Sequence, residues 1–243
     1  MDSIPMVAIT GQVATHMIGN DAFQECDVIG VTRPICKHSY LIKSTDEVAD
    51  VVAEAFHIAS TGRPGPVVID FAKDAQQREG LFRYPEKVNI RSYKPKVDGH
   101  PLQIAKAVEL IHSAKRPMLY AGGGVILSNA SEELRELAFK TGIPITVTLM
   151  GLGAFPETHP LSMKMPGMHG SCCANYAFTE SDLVVAIGAR FDDRVTGKLD
   201  RFAPKAKKIH IDIDPTCIGK SVPADVPIVG DAKRVLTEMN KLV

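Results

Sequence analysis

The densest chemistry in these 243 residues lies at Arg190-Phe191-Asp192-Asp193-Arg194, where two cations, two acids and an aromatic ring directly follow an apolar run. Guanidinium groups grip a phosphate or carboxylate through two parallel hydrogen bonds, so either arginine can hold an anionic ligand. The same charges can instead neutralise one another as surface pairs, Arg190 with Asp192 or Asp193 with Arg194. Upstream, Gly122-Gly123-Gly124 closes another apolar run. Glycines there permit close backbone approach and positive φ, and a helix end after them would receive a phosphate. Their spacing is not GxGxxG, however, and the helix expected next begins only at Ser131, so a flexible strand-to-helix turn explains them equally well. Asp212 and Asp214, at the end of IHIDID, offer acceptors to ribose hydroxyls; alternatively they cap the turn opened by Asp214-Pro215. Together these features favour an adenine dinucleotide ligand.

Other reactive side chains point nowhere in particular. His16, His38 and His169 are scattered and form no HxxxH or HExxH spacing, so each reads as a structural or hydrogen-bonding histidine and no metal site is expected. Cys172-Cys173 is a vicinal pair that could bridge only with strain, and reads as filler at a helix start. Five cysteines, an odd number without a paired CxxC, suit a reduced, cytoplasmic setting. Lys plus Arg and Asp plus Glu both number 28, so no net field draws the chain to nucleic acid or an anionic membrane. No apolar run approaches the roughly 20 residues that span a bilayer, and MDSIPMVAIT has no basic n-region of a secretory signal.

The elements that must position these residues alternate strand and helix. Ile4-Thr10 is an apolar, partly β-branched run that predicts a buried parallel strand. Asp46-Ser60 places Val48, Val51, Val52, Ala55, Phe56 and Ala59 at helical spacing, with Thr45 as N-cap. Pro66-Phe71 reads as the next strand. Residues 81–100 carry Pro85 and Pro95, many charges and no period, which reads as a linker. Beyond it, Pro101 opens a helix through Ala105, Val108, Leu110 and Ile111. Strands are expected at Pro117-Ala121, Pro144-Thr148, Leu183-Ile187, Lys208-Ile213 and Pro227-Val229, and helices at Ser131-Thr141, Cys173-Glu180 and Asp231-Leu242. Such alternation predicts an α/β fold, a doubly wound parallel sheet with helices on both faces. Ligands of these sheets sit beyond the carboxyl ends of the strands, here Gly122-Gly124, Thr148-Gly151, Gly188-Arg194 and Asp212-Asp214.

Several stretches carry a family resemblance. GQVATHMIGNDAFQE (Gly11-Glu25), GRPGPVVIDFAKD (Gly62-Asp74), TLMGLGAFP (Thr148-Pro156), GMHG (Gly167-Gly170) and GARFDDRVTGK (Gly188-Lys198) resemble, in order and spacing, the large catalytic subunit of the acetohydroxyacid (acetolactate) synthases. Those are thiamine-diphosphate enzymes that also carry FAD. The resemblance implies that residues 1–80 are the C-terminal half of the pyrimidine-binding domain. It makes 81–100 a linker and 101–243 a Rossmann-like central FAD domain. It implies that FAD is surrounded by Arg63, Gly123, Thr148, Leu149, Gly167, Met168, His169, Gly188, Ala189, Arg190, Phe191, Asp192, Asp212, Ile213, Asp231 and Ala232, without a net redox step. Phe23, Gln24, Lys73, Met168 and Arg194 would line the substrate channel, Arg194 gripping a 2-keto acid carboxylate and Phe23 and Met168 walling its alkyl group. Ala14, His16 and Ala72 depart from the residues usual in that family, which leaves inhibitor response open.

The resemblance also sets expectations for the whole. The activity would be decarboxylative condensation of pyruvate with pyruvate or 2-ketobutyrate, for branched-chain amino-acid synthesis, by a homodimer or larger assembly with a small regulatory subunit. Glyoxylate carboligase, pyruvate oxidase or a non-catalytic FAD-binding module are the alternatives. The ring-protonating glutamate of the family lies upstream of the GQV motif, and no GDG diphosphate motif with its Mg²⁺ ligands occurs in these residues. The chain therefore reads as a fragment that is inactive in isolation.

Overall fold

Within the unit that ends at Pro95, the chain runs β1 (Met6–Gln12), α1 (Val28–Thr32), β2 (His38–Ile42), α2 (Val48–Ser60), β3 (Pro66–Ala72) and α3 (Lys73–Gln77). The computed structural model describes residues 2–243. β3 lies in the middle of an all-parallel sheet of order β1-β3-β2. A central parallel strand is covered on both faces, which is why Val67, Val68 and Ile69 are apolar in succession and all buried. β1 pairs in parallel as expected but is an edge strand. Val7 packs into the core while Met6 and Ile9 stand exposed, so the expectation of a buried strand is corrected. β2 was not foreseen, because HSYLI is short and opens on two polar residues.

Helix α2 packs Ala55, Ile58 and Ala59 against Val67 and Ile69 of β3. Phe56 faces solvent instead of joining that stripe. The helix is entered through one 3-10 turn, Thr45–Glu47, whose N-cap is Ser44: its hydroxyl accepts from Asp46 N at 3.3 Å. Thr45 is not the cap; its hydroxyl donates to the Ala75 carbonyl at 2.7 Å and ties α2 to α3. At the other end the Lys37 ammonium donates to the carbonyls of Ile58 and Thr61 and lies against the Tyr93 ring and hydroxyl. A cation there satisfies carbonyls that the helix leaves unpaired and opposes its dipole. Ile90 and Tyr93 pack on this core as well, so the end of the proline-bearing stretch belongs physically to the first unit.

The second unit runs from Lys96 to Val243. It contains α4 (Pro101–Ser113), β4 (Pro117–Ala121), α5 (Gly123–Leu127), α6 (Ser131–Thr141), β5 (Ile145–Val147), α7 (Cys172–Glu180), β6 (Leu183–Ile187), α8 (Asp193–Thr196), β7 (Lys207–Asp212), β8 (Val226–Val229) and α9 (Ala232–Asn240). All five strands are parallel, in the order β5-β4-β6-β7-β8. Side chains alternate between two cores as the pleat requires. Leu119, Ala121, Val185 and Ile187 meet residues of α4, α6 and α9 on one face. Met118, Tyr120, Val184 and Ala186 meet Phe178, Phe191 and Phe202 on the other. Pro101 occupies the first turn of α4, where its missing N–H costs nothing, and Gly142 ends α6 at φ +67°. Together the two units form the mixed α/β architecture, with parallel sheets, that the strand and helix periodicities predict.

Between Gln77 and Pro101 there is no regular element, and Arg78, Arg83 and Lys87 are exposed. Brief tryptic digestion should therefore cut first at these residues and leave a stable piece containing 101–243. Degradation of that piece as soon as the 78–87 bonds are cut would show that the second unit depends on the stretch preceding it.

Candidate functional site

Strand order in the second sheet creates a crevice at one place. The chain moves from β4 outward to β5, then returns across β4 to place β6 on its other side, so the crossovers above β4 and β6 diverge. Ligands of open parallel sheets settle at such a switch point, past the carboxyl ends. The loops that emerge there are Gly122–Gly124 after β4 and Gly188–Asp192 after β6.

Those loops are stitched together by backbone. Gly122 N donates to Ile187 O at 2.9 Å, Gly124 N to Gly188 O at 3.0 Å and Gly188 N to Ile211 O at 2.8 Å. Thr148 N reaches Ala121 O at 2.9 Å, and Gly230 N reaches Asp212 O at 3.0 Å, so one bonded rim runs from β5 to β8. The glycines are demanded by this crossing: a Cβ on Gly122 would stand 2.3 Å from Gly188 O, and one on Gly188 2.6 Å from the Gly124 Cα. Gly188 also sits at φ +57°, where only glycine is unstrained. Helix α5 starts at Gly123, directly after the strand, rather than being deferred to Ser131. A one-turn helix this short was hidden by the absence of any period in GGVIL.

The charged loop is ordered from within. Arg190 and Asp192 pair at 3.4 Å, while Asp192 Oδ1 accepts from Arg194 N at 2.9 Å and caps α8. Arg194 and Asp193 approach only to 4.0 Å, with the Arg194 side chain 76% exposed. Both pairings offered by the sequence thus occur, as solvent-screened contacts worth at most about 1 kcal/mol each. The Arg194 guanidinium thus stays largely in solvent. Phe191, held at φ +51°, buries its ring among Tyr120, Phe202 and His210. Only its backbone can face a ligand, next to that of buried Ala189.

The GMHG stretch meets this loop. Met168 N donates to Arg194 O at 3.2 Å, and a Cβ on Gly167 would stand 2.4 Å from the same oxygen. Asn175 of α7 clamps Gly167 from both sides, accepting from its N–H at 2.8 Å and donating to its carbonyl at 3.0 Å. Met168 and His169 are therefore presented exposed beside Arg194. At the β5 end, Thr148 caps the turn Leu149–Gly151 through Gly151 N at 3.1 Å and leaves Leu149 exposed. Asp212 accepts from Asp214 N at 2.9 Å, Ile213 following it at the rim, and Asp231 caps α9, whose first residue Ala232 is buried. Both aspartates stand at the carboxyl edge of the sheet.

In the first unit Asp70, only 2% exposed, accepts from Thr10 Oγ1 and from Gln12 Nε2, both at 2.9 Å. Gln12 also donates to Cys26 O at 2.7 Å and so closes the 13–26 loop. Asp74 accepts from Thr15 N and its hydroxyl, at 2.9 and 2.8 Å, and these donors hold its carboxyl below the usual range. Lys73, beside it, is thereby tied to the loop that carries Phe23, 88% exposed, and Gln24 at φ +66°. Arg63 Nε donates to Ser3 Oγ at 2.9 Å. Cys172 and Cys173 are exposed free thiols in the first turn of α7, which Ser171 caps. Among the described residues no cluster of three or more His, Cys, Asp or Glu could hold a metal ion.

Sequence reasoning passed over His210. It is fully buried on β7 and its Nε2 lies 2.8 Å from Ala189 O, while burial pushes its pKa down to about 4. A histidine inside an alternating apolar strand was the signal available. Asn175 was missed too, and nothing in NYAFTE marks it.

Two outcomes follow. Gly188→Ala should destabilise the second unit by about 2–5 kcal/mol in urea, from strain at positive φ plus overpacking. A loss under about 0.5 kcal/mol, the usual ceiling for a surface change, would mean that the loops can part freely. The unfolded chain protonates His210 near its ordinary value and the folded chain only near pH 4. Its share of stability is present above about pH 6.5 and is lost as pH falls toward 4. The drop in urea midpoint between about pH 7.5 and 4.5 should shrink in His210→Gln; an equal drop would assign it to other groups.

Comparison with known proteins adds a family. The chain is 56% identical over 239 residues to an acetolactate synthase of Mycobacterium bovis, covering 98% of this chain and 39% of the relative. It is 55% identical over 245 residues to the acetolactate synthase large subunit of Buchnera aphidicola subsp. Schizaphis graminum, covering 100% and 43%. It is 58% identical over 241 residues to a probable acetolactate synthase large subunit of Methanocaldococcus jannaschii, covering 98% and 41%. The chain thus spans about two fifths of the length of the curated relatives it matches. The profile described as thiamine pyrophosphate enzyme, central domain, matches residues 104–239, which carry the switch-point crevice and every loop around it. On that match the chain belongs to the thiamine pyrophosphate enzyme central-domain family.

Proposed function

We propose that this chain provides the FAD-carrying central domain, and part of the pyrimidine-binding domain ahead of it, of an acetolactate synthase catalytic subunit. In this reading residues 1–80 belong to the pyrimidine-binding domain, 81–100 link, and 101–243 carry the flavin. The supporting observation is identity of 55–58% along nearly the whole chain to acetolactate synthases of two bacteria and an archaeon. The reaction is condensation of two 2-keto acids with loss of CO₂. In this family thiamine diphosphate, held through Mg²⁺, supplies the carbanion chemistry; no metal ligand is assigned to these residues. Relatives named large subunits motivate a small regulatory partner and a homodimeric or larger enzyme.

The carboxyl-edge crevice has the features that FAD needs. Gly123, Gly188 and Ala189 let backbone approach, Asp212 and Asp231 supply acceptors, and Arg190 brings a cation for the diphosphate. Met168 and Leu149 offer exposed apolar surface to a ring system. Arg194 is assigned to the substrate carboxylate and Met168 to its alkyl group. Phe23, Gln24 and Lys73 are carried as channel residues by resemblance.

Flavin binding tests the reading directly. The chain should quench FAD fluorescence saturably, and Asp212→Ala should weaken binding by roughly 1–3 kcal/mol, the cost of leaving a ligand hydroxyl without its partner in the complex. Unchanged affinity would return Asp212 to a turn-holding role, and no binding at all would favour a scaffold without flavin. In a catalytically competent assembly, Arg194→Lys should raise KM for 2-keto acids or lower kcat, because lysine keeps the charge but loses the fork. These 243 residues alone should yield no acetolactate in a colorimetric acetoin assay with thiamine diphosphate, Mg²⁺, FAD and pyruvate. Turnover there would overturn the assignment of catalytic groups to other segments.

A further inference from the structure

His210 lies outside every loop of the crevice, yet its side chain reaches one. The ring is completely buried, Nε2 is 2.8 Å from the Ala189 carbonyl, and the ring edge meets Phe191 at 4.9 Å between centroids. A carbonyl only accepts, so Nε2 carries the proton and donates. The other nitrogen, Nδ1, is buried with no hydrogen-bond partner among the described residues. A buried nitrogen left unpaired is costly. A strand position facing an aromatic cluster would ordinarily be apolar, so the imidazole has a task that its donor performs.

That task is visible in the backbone. Between Gly188 at φ +57° and Phe191 at φ +51° the chain reverses its twist twice, with Ala189 and Arg190 between the two left-handed residues. Phe191 is a bulky side chain in a conformation that costs about 1–2 kcal/mol, so something must hold it there. On the upstream side, Gly188 is fixed by its contact with Gly124. On the downstream side, Asp192 caps α8. At the middle, the Ala189 carbonyl is taken by a side chain instead of a backbone donor.

We propose that His210 is a positioning residue: its Nε2–H, by holding the Ala189 carbonyl, and its ring, by backing Phe191, lock the 188–192 loop in the shape that presents Arg190, Asp192 and Arg194. It touches no ligand itself. It acts on anion and flavin recognition through the loop backbone.

Hydrogen exchange and flavin titration of His210→Phe and His210→Gln test this, the flavin arm resting on the function proposed above. Phenylalanine keeps the ring and removes the donor; glutamine restores an N–H close to the Nε2 position. In His210→Phe the amides of 190–196 should exchange about tenfold faster, the loss of one hydrogen bond, with β4 amides unchanged, and FAD affinity should fall by a similar factor. Glutamine should bring both back to within about threefold, since the bond but not the ring is restored. Unchanged loop exchange in His210→Phe would overturn the proposal, as would acceleration spread equally over β4 and the loop. Equal losses in both variants would show that restoring the N–H does not restore the loop, and would overturn the role of the bond. If His210→Phe does not fold, His210→Asn, whose amide is too short to reach, takes its place. If the loop amides respond while no FAD binds to the native chain, the positioning role stands and the flavin reading fails.

Discussion

Backbone contact between Gly122, Gly124 and Gly188 is the constraint on which the second unit turns. At the switch point two strand-to-helix loops must cross with their main chains touching, and any side chain at Gly188 would collide with the Gly124 backbone. Because the crossing is made by backbone, no change of side-chain rotamer can relieve a clash there. Helix α5 leaves β4 at once for this reason, and the loop after β6 begins in the left-handed region. Everything along the rim is hung from that contact through the bonds joining Thr148, Gly122, Gly188 and Asp212.

The charged loop illustrates how rigidity and availability coexist. Its backbone is pinned by the helix cap of Asp192, by His210 on the Ala189 carbonyl, and by Met168 on the Arg194 carbonyl. Its side chains are screened pairs at the surface, which contribute little to stability and are therefore cheap to redirect. A scaffold of this kind pre-organises a ligand site while leaving guanidinium groups ready to exchange one carboxylate for another. In the first unit the same division holds: Asp70 and Asp74 order the 10–26 stretch, and Phe23 is left in solvent.

Strands were legible because parallel sheets buried on both faces need apolar runs, and PMLYA, LVVAI and the PVVI that opens PVVIDFA are such runs. Helices with a full stripe, α4, α6 and α9, were legible for the complementary reason. HSYLI and GGVIL were not, since five residues carry too little period, and β1 was misjudged in burial because one strand's sequence does not say how many neighbours it has. The site loops were legible as glycine and charge clusters after strands. Their ordering of Asp192 as a cap and Phe191 as core was not, since both depend on groups many residues away.

The sequence by itself therefore determined the fold class, the position of the candidate site and the family, because periodicity and short motifs are local properties. Only tertiary structure decided why three glycines are required, which charges pair, and that His210 and Asn175 govern loops they do not belong to. Those outcomes rest on contacts between segments far apart in the chain, such as His210 with Ala189 and Met168 with Arg194. No local pattern encodes them, since the partner of a buried donor is chosen by packing and not by its neighbours in sequence.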